Sequence, residues 1–140
     1  MARWKIKNVG MKGVSMAVPE NVVKTSDFDF FSQEEAEVFD NTVGIRKRHI
    51  APDNMCASDM CQAAAEKLLE ELGWERDSID VLLFESVTGD YRTPPTSCIL
   101  QDRLALSENC FCMDIPMGCC GCMYAITVAG NLLTTGNVRR

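Results

Sequence analysis

Two short apolar runs, Asp80 to Ser86 (DVLLFES) and Cys110 to Ile115 (CFCMDI), are bounded by turn-type residues, and each is followed by a stretch of helical character. A run that short and that continuously apolar suits a strand covered by helices on both faces, as in parallel sheets. The pattern confines the chain to the α/β class: a layered sheet in which each strand reaches the next through a helical crossover. With 140 residues, of which 46% are hydrophobic and 24% charged, it has the size of about one domain and can bury a sizeable core.

The other elements follow from periodicity and punctuation. Met60, Ala63, Ala64, Leu68 and Leu72 fall at helical spacing, with Ser58 as the expected cap and Gly73 as the stop. Pro94-Pro95 introduces a helix over Thr96 to Ala105, and Cys119 to Thr135 reads as a further helix halted by Gly136-Asn137. Upstream, residues 4 to 18 are expected to form a bent first strand ending at Pro19-Glu20-Asn21. Two short helices should precede Gly44: one near Thr25-Ser26-Asp27, the other opened by the capping box Ser32-Gln33-Glu34-Glu35. The sequence ends at Val138-Arg139-Arg140, where a crossover would deliver the next parallel strand, so a core strand is expected to be missing and the sheet edge left open to pairing.

Several classes are excluded. No stretch approaches the ~18 to 20 apolar residues that span a bilayer, and Met1 to Lys12 lacks the features of a signal peptide; a cytoplasmic location without a membrane partner is expected. The eight cysteines are therefore expected as thiols rather than as a disulfide scaffold. A net charge of −6 argues against a nucleic-acid surface over the whole chain, and Arg46-Lys47-Arg48-His49 reads as a solvated basic segment.

The chemistry concentrates in Asp114 to Cys122 (DIPMGCCGC), which joins an apolar strand to an apolar helix through a Gly-flanked bend. A thiol at the first turn of such a helix meets unpaired amides and the positive end of the dipole, which favour thiolate. Cys119 is placed there and becomes the nucleophile candidate, with nearby amides able to hold an oxyanion. The remaining cysteines, Cys56, Cys61, Cys98, Cys110, Cys112, Cys120 and Cys122, read as small core fillers. A zinc or iron–sulfur cage from Cys110, Cys112, Cys119 and Cys122 is the weaker alternative, because two of the four would sit within a strand. No metal or other cofactor is expected. His49, the only histidine, reads as an inert surface residue, and Glu66, Glu70, Glu71 and Glu75 as the wet face of a helix.

In order along the chain, Val18-Pro19-Glu20, Gly44 to Ala51 (GIRKRHIA), Ala57-Ser58-Asp59-Met60, Ile79 to Leu83 and Asp90-Tyr91 occur, followed by Pro94 with Cys98, Gln101 to Leu104, Asp114-Ile115, Gly121 and Tyr124-Ala125. This collinear set resembles the amino-terminal half of the β-ketoacyl-acyl-carrier-protein synthase III family, condensing enzymes of the thiolase superfamily. The resemblance covers nearly the whole chain and places Cys119 on the family's catalytic cysteine. It implies a thiolase-like layered fold, of which residues 1–140 would be the first half, with a mixed sheet.

The resemblance further implies a ping-pong Claisen condensation. The cysteine takes an acyl group from acyl-coenzyme A or another acyl thioester, and malonyl-acyl carrier protein then decarboxylates and displaces the sulfur. A homodimer is implied as well. The family's catalytic His and Asn would lie in the second half, and His49 does not match that His, so the chain alone is expected to lack condensing activity. The implied substrate-binding positions are Val87, Thr93, Met117, Val38 and Thr42. Val38 and Thr42 stand where a Trp and an Arg would sandwich adenine, and Thr93 stands in place of a bulky aromatic, which together predict a more open pocket for longer, branched or carrier-bound acyl groups. A non-catalytic thiolase-fold scaffold is the competing reading.

Overall fold

The computed structural model describes residues 5–140. They divide into two compact units, one reaching up to Met16 and resuming over Ala57–Arg140, the other formed by Ala17–Cys56.

In the smaller unit, β1 (Val22–Lys24) pairs antiparallel with β2 (Lys47–His49), Val23 standing opposite Arg48. Between them lie a single 3-10 turn over Thr25–Asp27 and helix α1 (Gln33–Val43). The expected capping box forms: the Glu35 amide donates to Ser32 Oγ at 3.2 Å, and the Ser32 amide to Glu35 Oε2 at 2.9 Å. Gly44 closes α1 in the left-handed region (φ 79°), as a helix-terminating glycine does. The basic run is solvated at Arg46, Lys47 and His49, as expected, but Lys47–His49 also form β2, and Arg48 is half-buried, with its guanidinium carbon 5.8 Å from the Phe28 ring centre and 5.2 Å from that of Phe39. Arg48 also donates to Thr25 Oγ1, which in turn donates to Asp40 Oδ1 at 2.6 Å. The cation is held because two rings and a paired hydroxyl replace its water.

In the larger unit, the two apolar runs become β3 (Val81–Glu85) and β4 (Phe111–Ile115), paired in parallel with Glu85 opposite Ile115. Helix α3 (Thr96–Arg103) makes the crossover between them, α2 (Ala57–Leu72) packs on α3, and α4 (Gly121–Leu133) follows β4 and packs on both strands. Alternate residues of β3 serve opposite faces, as strand geometry demands. Leu82 and Phe84 join Leu100, Leu104 and Leu106 in the core, while Val81 and Leu83 face Ala125, Ile126 and Ala129 of α4.

Some boundaries and one element differ from the sequence expectation. Ser58 does not cap α2; it lies inside the first turn, fully buried, and its hydroxyl donates to the Asp90 carboxylate and accepts from Arg103 at 2.7 Å. The 4–18 strand is not formed over residues 5–18, residue 4 lying outside the described residues. Gly13 and Ser15 are half-buried while Val14 and Met16 are exposed, so the period of two is present. What is missing is a neighbouring strand among the described residues to complete a ladder. At the chain's end, the Arg140 carbonyl accepts from the amides of Asp80 at 2.9 Å and Val81 at 3.1 Å. No described helix is long and apolar enough to cross a membrane.

Candidate active site

The site is built on the connection from β4 to α4. The Met117 amide bonds back to the Ile115 carbonyl at 2.8 Å, and the Gly121 amide bonds to the Gly118 carbonyl at 2.8 Å, closing a turn with Cys119 and Cys120 at its centre. Cys120 is the N-cap, and its carbonyl receives the amides of Met123 at 3.0 Å and Tyr124 at 3.3 Å. Cys119 therefore sits one residue ahead of the cap, not in the first helical turn as the sequence suggests. The Gly118 carbonyl is spent on the tighter turn, so the α-helical ladder begins only at Cys120. Cys119 is exposed, at the end of the helix where backbone amides lack intrahelical partners.

The other thiols sort differently from expectation. Only Cys110 is buried and Cys112 half-buried; Cys56, Cys61, Cys98, Cys120 and Cys122 are exposed rather than core fillers. Burial pushes the Cys110 thiol up, and burial with Cys110 alongside pushes Cys112 up to about 12, so both favour the protonated form and make poor nucleophiles. Among the described residues, no cluster of three or more His, Cys, Asp or Glu is arranged to hold a metal. His49 lies in the smaller unit with Nδ1 donating to the Pro19 carbonyl at 2.6 Å.

Two carboxylates fix the scaffold around the turn. Asp114, in β4, accepts the amides of Thr96 at 2.7 Å and Ser97 at 2.8 Å. These are the first residues of α3, so one strand residue caps a helix otherwise entered from Pro95, which offers no capping side chain. Glu85, the last residue of β3, lies against Gly121: a Cβ built on Gly121 would fall 2.6 Å from Glu85 Cγ and nearer still to its carboxyl group. Neither role was read from the sequence. Asp114 stood out only as a motif match, and Glu85 carried no signal, because its contact depends on the register that sets Glu85 beside Ile115.

A cavity of about 560 Å³ opens at the carboxyl ends of β3 and β4, lined by residues including Val87, Asp90, Tyr91, Asp114 and Pro116. That is where open parallel sheets place ligands. Of the sequence-derived positions, Val87 lines this cavity and is exposed. Thr93 is exposed in the β3–α3 loop, preceding Pro94 through a cis peptide bond, and Met117 is half-buried in the β4–α4 turn. Val38 and Thr42 are exposed one helical turn apart on α1, in the other unit.

Comparison with known proteins gives a consistent answer. No family model matches the chain. It is 35% identical over 127 residues to a β-ketoacyl-[acyl-carrier-protein] synthase III of Geobacillus kaustophilus, covering 91% of this chain and 41% of that protein. It is 32% identical over 127 residues to one of Ehrlichia canis, with 91% and 40% covered. Among solved structures, a 3-oxoacyl-(acyl-carrier protein) synthase of Burkholderia xenovorans superposes with a TM-score of 0.83 at 36% identity, over 90% of this chain and 37% of that one. The synthase III of Aquifex aeolicus superposes with a TM-score of 0.80 at 25% identity, over 91% and 41%. The chain thus spans about two fifths of the length of the curated relatives it matches. Over nine tenths of its length it is similar to the amino-terminal part of β-ketoacyl-[acyl-carrier-protein] synthase III, and its α/β architecture is that portion of the thiolase-like fold.

Proposed function

We propose that residues 1–140 are the amino-terminal half of a synthase III-type acyltransferase and that Cys119 accepts the acyl group. The carrying observation is an exposed thiol in the turn between a parallel strand and the helix after it, in a chain similar to synthase III over nine tenths of its length. The Cys119 thiolate attacks the carbonyl carbon of an acyl thioester, amides near the turn stabilise the oxyanion, and the departing thiolate leaves the acyl group on sulfur. Malonyl-acyl carrier protein then loses carbon dioxide, and its carbanion displaces Cys119 to give the β-ketoacyl product. That second step needs a His and an Asn from a second half, so this chain by itself performs no condensation. Homodimerisation and a cytoplasmic location belong to the same reading.

Val87 and Met117, with Thr93, form the acyl-facing group, and Val38 and Thr42 the positions nearest a coenzyme A adenine. With no aromatic or guanidinium at Val38 and Thr42, and a short side chain at Thr93, acyl donors longer than acetyl or carried on protein are favoured over acetyl-coenzyme A. The test is acylation followed by mass spectrometry in the protein with its second half: longer donors should load Cys119 faster, and a strict acetyl preference would refute the pocket assignment. For residues 1–140 alone, selective alkylation of Cys119 by iodoacetamide near neutral pH is expected. Uniform slow labelling of all exposed cysteines would favour a non-catalytic scaffold instead.

A further inference from the structure

We propose that Cys119 and Cys122 form a reversible dithiol–disulfide pair, a modification site at the mouth of α4. The sequence Cys119-Cys120-Gly121-Cys122 places two thiols three residues apart across a strand-to-helix turn, the arrangement of redox-active C-x-x-C pairs. Both are exposed. The backbone between them is helical or tightly turned: Gly121 bonds to the Gly118 carbonyl, Cys120 has φ −92° and ψ −4°, and α4 starts at Gly121. Residues three apart on such a path have Cα atoms about 5 Å apart, within the range of about 4.4 to 6.8 Å over which disulfides form. Cys120, as an adjacent residue, points elsewhere, and the Cys110 and Cys112 thiols, pushed up by burial, make poor attacking groups.

The oxidant is a low-molecular-weight disulfide such as glutathione disulfide. The Cys119 thiolate attacks one of its sulfurs and expels a glutathione thiolate. Cys122, having given its proton to water, attacks the Cys119 sulfur and expels the second glutathione as thiolate. The protein gains one S–S bond and loses two electrons and two protons, while the oxidant becomes two glutathione thiols; a dithiol reductant reverses the exchange. The further consequence, that oxidation withdraws the acyl acceptor, rests on the function proposed above.

The experiment treats the reduced chain with glutathione disulfide and maps its peptides by mass spectrometry. A Cys119–Cys122 link lighter by two hydrogens is expected, with both residues lost to iodoacetamide and regained after dithiothreitol. Cys122→Ser should stop at one glutathione on Cys119, and Cys120→Ser should leave the link unchanged. Glutathione retained on Cys119 of the unmodified chain, or a link through Cys120, overturns the proposal. In the reduced chain, alkylation of Cys119 no faster than that of Cys56 and Cys98 would instead refute its role as acyl acceptor and leave the disulfide standing.

Discussion

Of the two glycines that flank the candidate nucleophile, Gly121 has no room for a side chain, because the Glu85 side chain occupies the volume a Cβ would need. Gly121→Ala should therefore cost about 1 to 3 kcal/mol, the usual penalty of overpacking, in urea unfolding. Gly118→Ala, which meets nothing within 4 Å, should stay within about 0.5 kcal/mol. Cys119→Ala should abolish both acyl loading and rapid alkylation of the 119–122 peptide while leaving the unfolding midpoint nearly unchanged, since the side chain is exposed. At this scale the cysteine at the bend was legible, because strand, bend and helix adjoin in sequence. Glu85 and Asp114 were not, because each acts across a gap in sequence that only the pairing of β3 with β4 closes.

Among the elements, α1 and α3 solve the same problem with different means. Helix α1 caps itself locally through Ser32 and Glu35, and the Ser32 hydrogen bonds hold the Glu35 carboxyl below the usual carboxylate range. Ser32→Ala should cost about 1 kcal/mol of stability, read from denaturant unfolding. Helix α3 borrows its cap from β4, and Asp114→Ala would leave two amides of buried residues without their charged acceptor. A loss of about 2 to 3 kcal/mol is expected by the same measurement. A cap supplied within four residues can be read from a sequence; one supplied from a strand 17 residues away cannot. The same distinction explains Ser58, whose sequence context resembles a cap while its hydroxyl serves a carboxylate 32 residues on. It also explains β1 and β2, three residues each, too short, and in β2 too polar, to announce a strand without the Arg48, Thr25 and Asp40 contacts that hold them.

For the molecule as a whole, the parallel order of β3 and β4 was legible from two apolar runs, whereas the expected first strand was not borne out within residues 5–18. Acid should probe the tie at the chain's end. The Arg139 side chain and amide hydrogen-bond to Asp80 and hold its carboxyl below the ordinary aspartate range. Because the folded state then binds this proton less readily than the unfolded state, the tie stabilises fully above the ordinary aspartate pKa of about 3.9 and is lost as pH falls below it. Asp80→Asn should flatten the stability–pH curve on that acid flank, as followed by urea midpoints at stepped pH.

The carboxylate of Asp114 also makes two backbone amides into reporters on a neighbouring strand. Thr96 and Ser97 are fully buried and donate to that side chain, so their protons can trade with solvent only when β4 and the start of α3 part company. Deuterium uptake at those two positions would register loosening of the strand that feeds the cysteine turn, without any label on the turn itself.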